Sequence, residues 1–236
     1  MPAAVMVHAE GVTKRFGNVW ALRGIDLQLM RGRCLSIFGP NGAGKTTLLK
    51  LLATLMRPSA GAVTIAGYDT VREAEKVRPL LGVLGHKTFL YGHLTAYENL
   101  QFYGRMFGIA RCAERSTEML CAVGLGTHAQ QLVRTYSRGM QQRLAIARVL
   151  LHQPALLLLD EPYTGLDQQA ATRLQGLLQQ LRAEERTIIL STHDLKRGLR
   201  LCDDIVIQHH GKIVYRGLAS DVDEISLEQL YFDYVK

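Results

Sequence analysis

A chain of 236 residues with 47% hydrophobic and 21% charged residues can bury one core, with or without a built-in subdomain, and needs no metal or disulfide staples. Its net charge of +7 is dispersed: like charges form no long run and aromatics do not alternate with Lys/Arg clusters, so nucleic acid is not an expected partner. No apolar stretch approaches the roughly eighteen residues of a membrane span, and the first residues lack a basic segment followed by a long apolar run, so any membrane attachment is expected through a partner.

In chain order, residues 5–12 and 25–29 alternate as half-buried strands. Residues 34–38 form a short apolar run that enters a Gly-rich loop, and 48–55 then reads as a helix stopped near Pro58. A short strand is expected over 62–65. From about 85 to 152 helical patterns dominate, at 97–106, 113–123 and 140–151, with Pro154 ending the last. The continuous apolar run 155–159 has the character of a strand buried on both faces. A helix over 170–183, a strand over 187–191, and strands over 205–208 and 213–215 follow. Ser226 and Gln229 suggest a capping box on a last short helix. Strands alternating with helices at both ends predict an α/β core with a parallel sheet, and the helical middle reads as an insertion. Cys34, Cys112, Cys121 and Cys202 form no C-x-x-C pair; they fit a reducing cytosol and are expected to be small buried hydrophobes.

Gly39-Pro40-Asn41-Gly42-Ala43-Gly44-Lys45-Thr46 satisfies every fixed position of a phosphate-binding loop, with a strand before it and a helix after it. Glycines let the backbone approach closely enough for several N–H groups to face phosphate oxygens, and the positive end of the following helix adds attraction. Lys45 supplies a point charge for the β- and γ-phosphates. The Thr46 hydroxyl can ligate Mg²⁺, and Thr47 can reach the α-phosphate. A chance Gly-rich turn would lack the flanking strand and helix. The loop indicates a nucleoside triphosphate without naming the reaction.

The run 155–159 delivers Asp160 to the sheet edge, where a carboxylate can hold Mg²⁺ through water. Glu161 follows and can act as general base on the attacking water. An acidic pair at a strand end is common on protein surfaces; the phosphate loop is what favours the catalytic reading.

Between these motifs lies Tyr136-Ser137-Arg138-Gly139-Met140-Gln141-Gln142-Arg143. Together with Ala145-Ile146-Ala147-Arg148, Gly165-Leu166-Asp167 and Ser191-Thr192-His193-Asp194, it resembles the ABC ATPases, in order and spacing, from about residue 12 to 217. The resemblance implies a P-loop NTPase (RecA-like) core at 1–85 and 153–236, with an antiparallel β subdomain, and an inserted helical signature subdomain at 86–152. It implies ATP and Mg²⁺ as cofactors, a homodimer of nucleotide-binding subunits, integral membrane subunits as partners, and a cytoplasmic, membrane-peripheral location. Ser137 and Gly139 would bind the γ-phosphate of ATP held by the other protomer. His193 would contact the γ-phosphate and help position the attacking water, Asp167 would couple the two sites, and Phe16 would stack on adenine.

Two departures stand out. Arg138 replaces a glycine of the commoner signature, adding charge near phosphate or simply facing solvent. His86 stands where most members carry a glutamine that touches Mg²⁺, and it is a metal-ligand candidate or a structural residue. With Leu94-Thr95-Ala96-Tyr97-Glu98-Asn99-Leu100-Gln101-Phe102-Tyr103, this departure resembles the haem export system of cytochrome c biogenesis; subunits driving lipid, drug or polysaccharide exporters share the Tyr-Ser-Arg-Gly-Met signature. A soluble relative acting on nucleic acid would usually carry a coiled-coil insert, zinc motifs or tandem cassettes, and a phosphotransferase would have no use for the signature helix.

Overall fold

A computed structural model of the chain describes residues 4–85 and 87–235. Among these residues ten strands form two sheets. The first, β1 (Val5–Phe16), β2 (Val19–Met30), β4 (Ala60–Ile65) and β5 (Tyr68–Asp69), is antiparallel in the order β2-β1-β4-β5. The second contains β3 (Cys34–Phe38), β6 (Leu81–Leu84), β7 (Leu156–Asp160), β8 (Thr187–Ser191), β9 (Asp204–His209) and β10 (Lys212–Leu218), in the order β10-β9-β3-β8-β7-β6. Its pairs are parallel except for the edge hairpin β9–β10. The helices are α1 (Lys45–Leu52), α2 (Ala74–Val77), α3 (Ala96–Met106), α4 (Cys112–Ala122), α5 (Arg138–Leu150), α6 (Gln168–Ala183), α7 (Leu195–Leu201) and α8 (Glu224–Val235).

The unbroken leucines of β7 show why the parallel sheet is sandwiched. Successive side chains point to opposite faces. Leu156 and Leu158 join α1 and the antiparallel sheet in one apolar cluster, with Leu35, Ile37, Leu48 and Val12. Leu157 and Leu159 join the helical side, with Leu100, Leu144, Ile146 and Leu174. A strand covered on both faces has no polar position until its last residue, Asp160.

The expected elements are present with shifted ends. Residues 5–12 and 25–29 are parts of two twelve-residue strands joined by a tight turn. The helix read at 48–55 runs instead from Lys45 to Leu52, because it nucleates on the phosphate loop; Thr54 in a left-handed conformation ends it before Pro58. The expected cap at Ser226 is corrected: Asp223 accepts a hydrogen bond from the Ser226 amide at 2.8 Å and starts α8. The capping box is at Thr95 and Glu98, which exchange bonds of 3.1 and 2.8 Å at the start of α3. Strands β5 and β6 and helices α2 and α7 were not legible, being short and without a clear period. Cys34, Cys112 and Cys202 are buried as expected, whereas Cys121 is exposed on α4.

Candidate nucleotide site

The carboxyl ends of β3, β7 and β8 converge, as ligand sites of parallel sheets do. They supply the phosphate loop, the acidic pair and the turn bearing His193. A cleft of about 190 Å³ lies over the loop, lined by Pro40 to Thr47 together with Ala21, Asp160 and Glu161.

Gly44 sits at φ 104°, a conformation open to glycine, and hands the chain to α1 with no side-chain cap. The first-turn N–H groups of α1 are therefore left for a ligand. Lys45 is buried, and its Nζ donates to the carbonyls of Gly39 (2.6 Å) and Pro40 (3.1 Å) inside the loop. Burial pushes its pKa below the ordinary lysine range, while the carboxylates of Glu161 and Asp160 push it back up. A cation held under the loop by neutral carbonyls is poised for phosphate oxygens, which would be stronger acceptors.

The Thr46 hydroxyl donates to Asp160 Oδ2 at 2.8 Å, and the Ser191 hydroxyl donates to Asp160 Oδ1 at 2.6 Å. The two residues named for Mg²⁺ thus face each other with hard oxygens, the donor type this ion prefers. Among the described residues no group of three His, Cys, Asp or Glu side chains is arranged to hold a metal. His86, the third metal-ligand candidate, lies outside the described residues.

Glu161 takes a left-handed backbone conformation (φ 51°), and its amide donates to the Ser191 carbonyl at 3.1 Å. A non-glycine residue there is uncommon and costs free energy unless surrounding bonds enforce it. The turn aims its carboxylate at His193, whose Nδ1 lies 2.8 Å from Oε2. The Glu161 side chain is 15% exposed and that of His193 is 76% exposed. His193 stands on the turn between β8 and α7, which Asp194 caps by accepting from the Arg197 amide at 3.0 Å.

The remaining expected residues are elsewhere. Ser137 and Gly139 begin α5, with the Ser137 hydroxyl accepting from the Met140 amide at 3.3 Å. They do not line the phosphate-loop cleft. Gln142 donates to the Pro162 carbonyl at 3.2 Å, tying α5 to the turn after Glu161. Arg138 is exposed, and its stem lies against Gly165, where a side chain would meet it at 3.1–3.3 Å. Asp167 caps α6 from an exposed position, accepting from the Ala170 amide at 2.8 Å. Phe16 is 48% exposed at the tip of the β1–β2 hairpin, with Lys14 Nζ 5.3 Å from its ring centroid.

Two contributors have no role assigned from the sequence. Ser191 holds both Asp160 and the Glu161 amide, at 2.6 and 3.2 Å. Gln208, on β9, is fully buried against the loop. The only signal for Gln208 was a polar residue closing the apolar run 205–207.

Comparison with known proteins agrees with this geometry. The family model "ABC transporter" matches residues 22–164. The ABC transporter ATP-binding protein NatA of Bacillus subtilis is 39% identical over 96% of this chain and 92% of its own length. The daunorubicin resistance ATP-binding protein DrrA3 of Streptomyces coeruleorubidus is 37% identical over 93% of this chain and 70% of its own. Among solved structures, the dimeric post-hydrolysis state of the ATP-binding cassette MJ0796, bound to ADP and Pi, superposes with a TM-score of 0.84 at 29% identity, covering 91% of this chain and 99% of that one. With its phosphate loop, acidic pair and signature helix in one ABC fold, the chain belongs to the ABC transporter family as an ATP-binding, ATP-hydrolysing subunit.

Proposed function

We propose that this subunit drives a membrane exporter of drugs, lipids or polysaccharides. The similarity to DrrA3, whose name records daunorubicin resistance, carries this reading. The names of the relatives lend no support to haem export, which becomes the second choice despite the resemblance around residues 94–103.

In the proposed reaction, the loop amides and Lys45 hold the triphosphate of ATP. Thr46 and Asp160 would hold Mg²⁺, which neutralises phosphate charge when bound. Glu161 accepts a proton from water as its oxygen attacks the γ-phosphorus, and ADP leaves as phosphate forms. His193 orients Glu161 through the 2.8 Å contact. Residues 1–85 and 153–236 act as the ATP-binding core. Residues 86–152 act as a helical subdomain, a division supported by α3, α4 and α5 lying there without a strand of either sheet. Ser137 and Gly139 serve ATP on a second copy, Asp167 couples the two sites and Phe16 stacks on adenine.

The membrane subunits would meet the aromatic face beside α3. Phe89, Tyr91, Phe102, Met106 and Phe107 are exposed there. Asn99, fully buried, bonds both the amide and the carbonyl of Tyr91, at 2.8 and 3.0 Å. Arg148 lies 5.0 Å from the Tyr103 ring and 6.0 Å from that of Phe89. A face fixed to buried residues can pass a displacement to the site. Among the described residues no helix is long and apolar enough to cross a membrane, which suits a peripheral subunit.

Glu161→Gln is expected to keep ATP binding and to lower steady-state hydrolysis by about 10²–10⁴-fold, the usual contribution of a general base. Normal turnover would remove Glu161 from that role. Deleting the gene from its host is expected to sensitise it to drugs while c-type cytochromes keep covalent haem; the reverse outcome selects haem export.

A further inference from the structure

Gln208 is a buried polar group with no place in the reaction. Parallel pairing of β9 with β3, in which Phe38 faces Ile207, brings Gln208 level with Gly39, the first residue of the phosphate loop. Its side chain is fully buried, and among the described residues neither Nε2 nor Oε1 has a hydrogen-bond partner. The amide lies directly behind the loop: a side chain at Gly44 would meet Gln208 Nε2 at 2.7 Å, and one at Gly39 would run into the Gln208 carbonyl. A polar group left unpaired in a core lowers stability, and an apolar residue of similar size would avoid that cost.

The neighbouring turn shows what such a group can do. The Gly211 amide donates to the Ala43 carbonyl at 2.9 Å. That carbonyl shares a peptide plane with the Gly44 amide. Holding the oxygen from behind turns the Gly44 N–H the other way, towards the cleft. A carbonyl oxygen has two lone pairs, and the bond from Gly211 uses one. A second donor would fix the plane and strengthen the opposite N–H towards phosphate.

We propose that Gln208 is a positioning residue of the phosphate loop, its side-chain amide supplying a second hydrogen bond to the back of the Ala43–Gly44 peptide when nucleotide is bound. The stability lost in the free protein is returned as affinity in the loaded one. The proposal rests on ATP occupying this loop, so nucleotide binding by the unsubstituted protein is the control that separates its failure from failure of that reading.

The test uses Gln208→Leu and Gln208→Met, which keep the bulk and remove the amide. Both are expected to raise the thermal midpoint of the nucleotide-free protein. Both should weaken binding of a fluorescent ATP analogue roughly tenfold, the effect of one well-placed hydrogen bond, and raise the KM for ATP by a larger factor than they change kcat. A lowered or unchanged midpoint, including failure to fold, would mean that the amide is satisfied in the free protein and would overturn the proposal. A raised midpoint with unchanged nucleotide affinity would overturn it equally.

Discussion

Two helix starts in this molecule use the same physics and end differently. At α1 the N-cap is Gly44, no side chain occupies the first-turn N–H groups, and Lys45 is buried against the loop. At α5 the N-cap Ser137 bonds its own helix, stands exposed and faces no phosphate loop of the same chain. A helix N-terminus attracts anions in both cases. Only the first is surrounded by the rest of a site within one chain. Under the proposed function the second would be a half-site completed by another copy; the cassette MJ0796, whose fold this chain shares, was solved as a dimer.

The largest effect should come from breaking the complete site. Lys45→Ala removes the buried cation that faces phosphate, and hydrolysis is expected to fall by about a hundredfold or more, as when a charge-stabilising group is lost. Phosphate release assays would read this directly; hydrolysis within a fewfold of normal would argue against the loop as the phosphate site.

Breaking the half-site sharpens the comparison. Ser137→Arg is expected to abolish hydrolysis in a homodimer. Mixed with Lys45→Ala, it should recover part of the activity, because one head-to-tail site in the heterodimer then carries neither substitution. Mixtures as inactive as the separate variants would mean that each chain completes its own site.

A smaller consequence follows from the cap. Ser137→Ala removes the bond to the Met140 amide, with a cost of about 1 kcal/mol for a helix cap. The thermal midpoint should fall by about 2–4 °C for a domain of this size. A larger loss of hydrolysis than of stability would separate the ligand role of Ser137 from its structural one.

The smallest effect lies away from both helix starts. His152 stacks on Phe107, with ring centroids 4.0 Å apart, and its Nε2 lies 2.9 Å from the Leu81 carbonyl. Burial pushes its pKa below the ordinary histidine value of about 6.5, and nearby Arg148 adds to the shift. The unfolded chain therefore takes up this proton first as pH falls. The contribution of His152 is present above about pH 6.5 and is lost on acidification through its lower folded value. Melting curves from pH 7 to 5 should show a shallower fall for His152→Gln than for the unsubstituted protein. Parallel curves would assign the acid sensitivity to other groups.

The sequence by itself determined the phosphate loop, the acidic pair and the signature helix, because each depends on residue types at short spacing: glycines that allow a tight turn, an apolar run ending in carboxylates, a serine before a helix. It also determined the α/β class, since the apolar run 155–159 has no polar residue to spare for solvent. Tertiary structure decided what spacing cannot carry. Ser191 reaches Asp160 across 31 residues, and Gln208 reaches the loop because β9 pairs with β3. The left-handed turn that aims Glu161 at His193 needs the Ser191 carbonyl and hydroxyl to hold it. The same tertiary view separated the helix start that has a site around it within one chain from the start that does not, because only packing shows which end of a helix has the rest of a site around it.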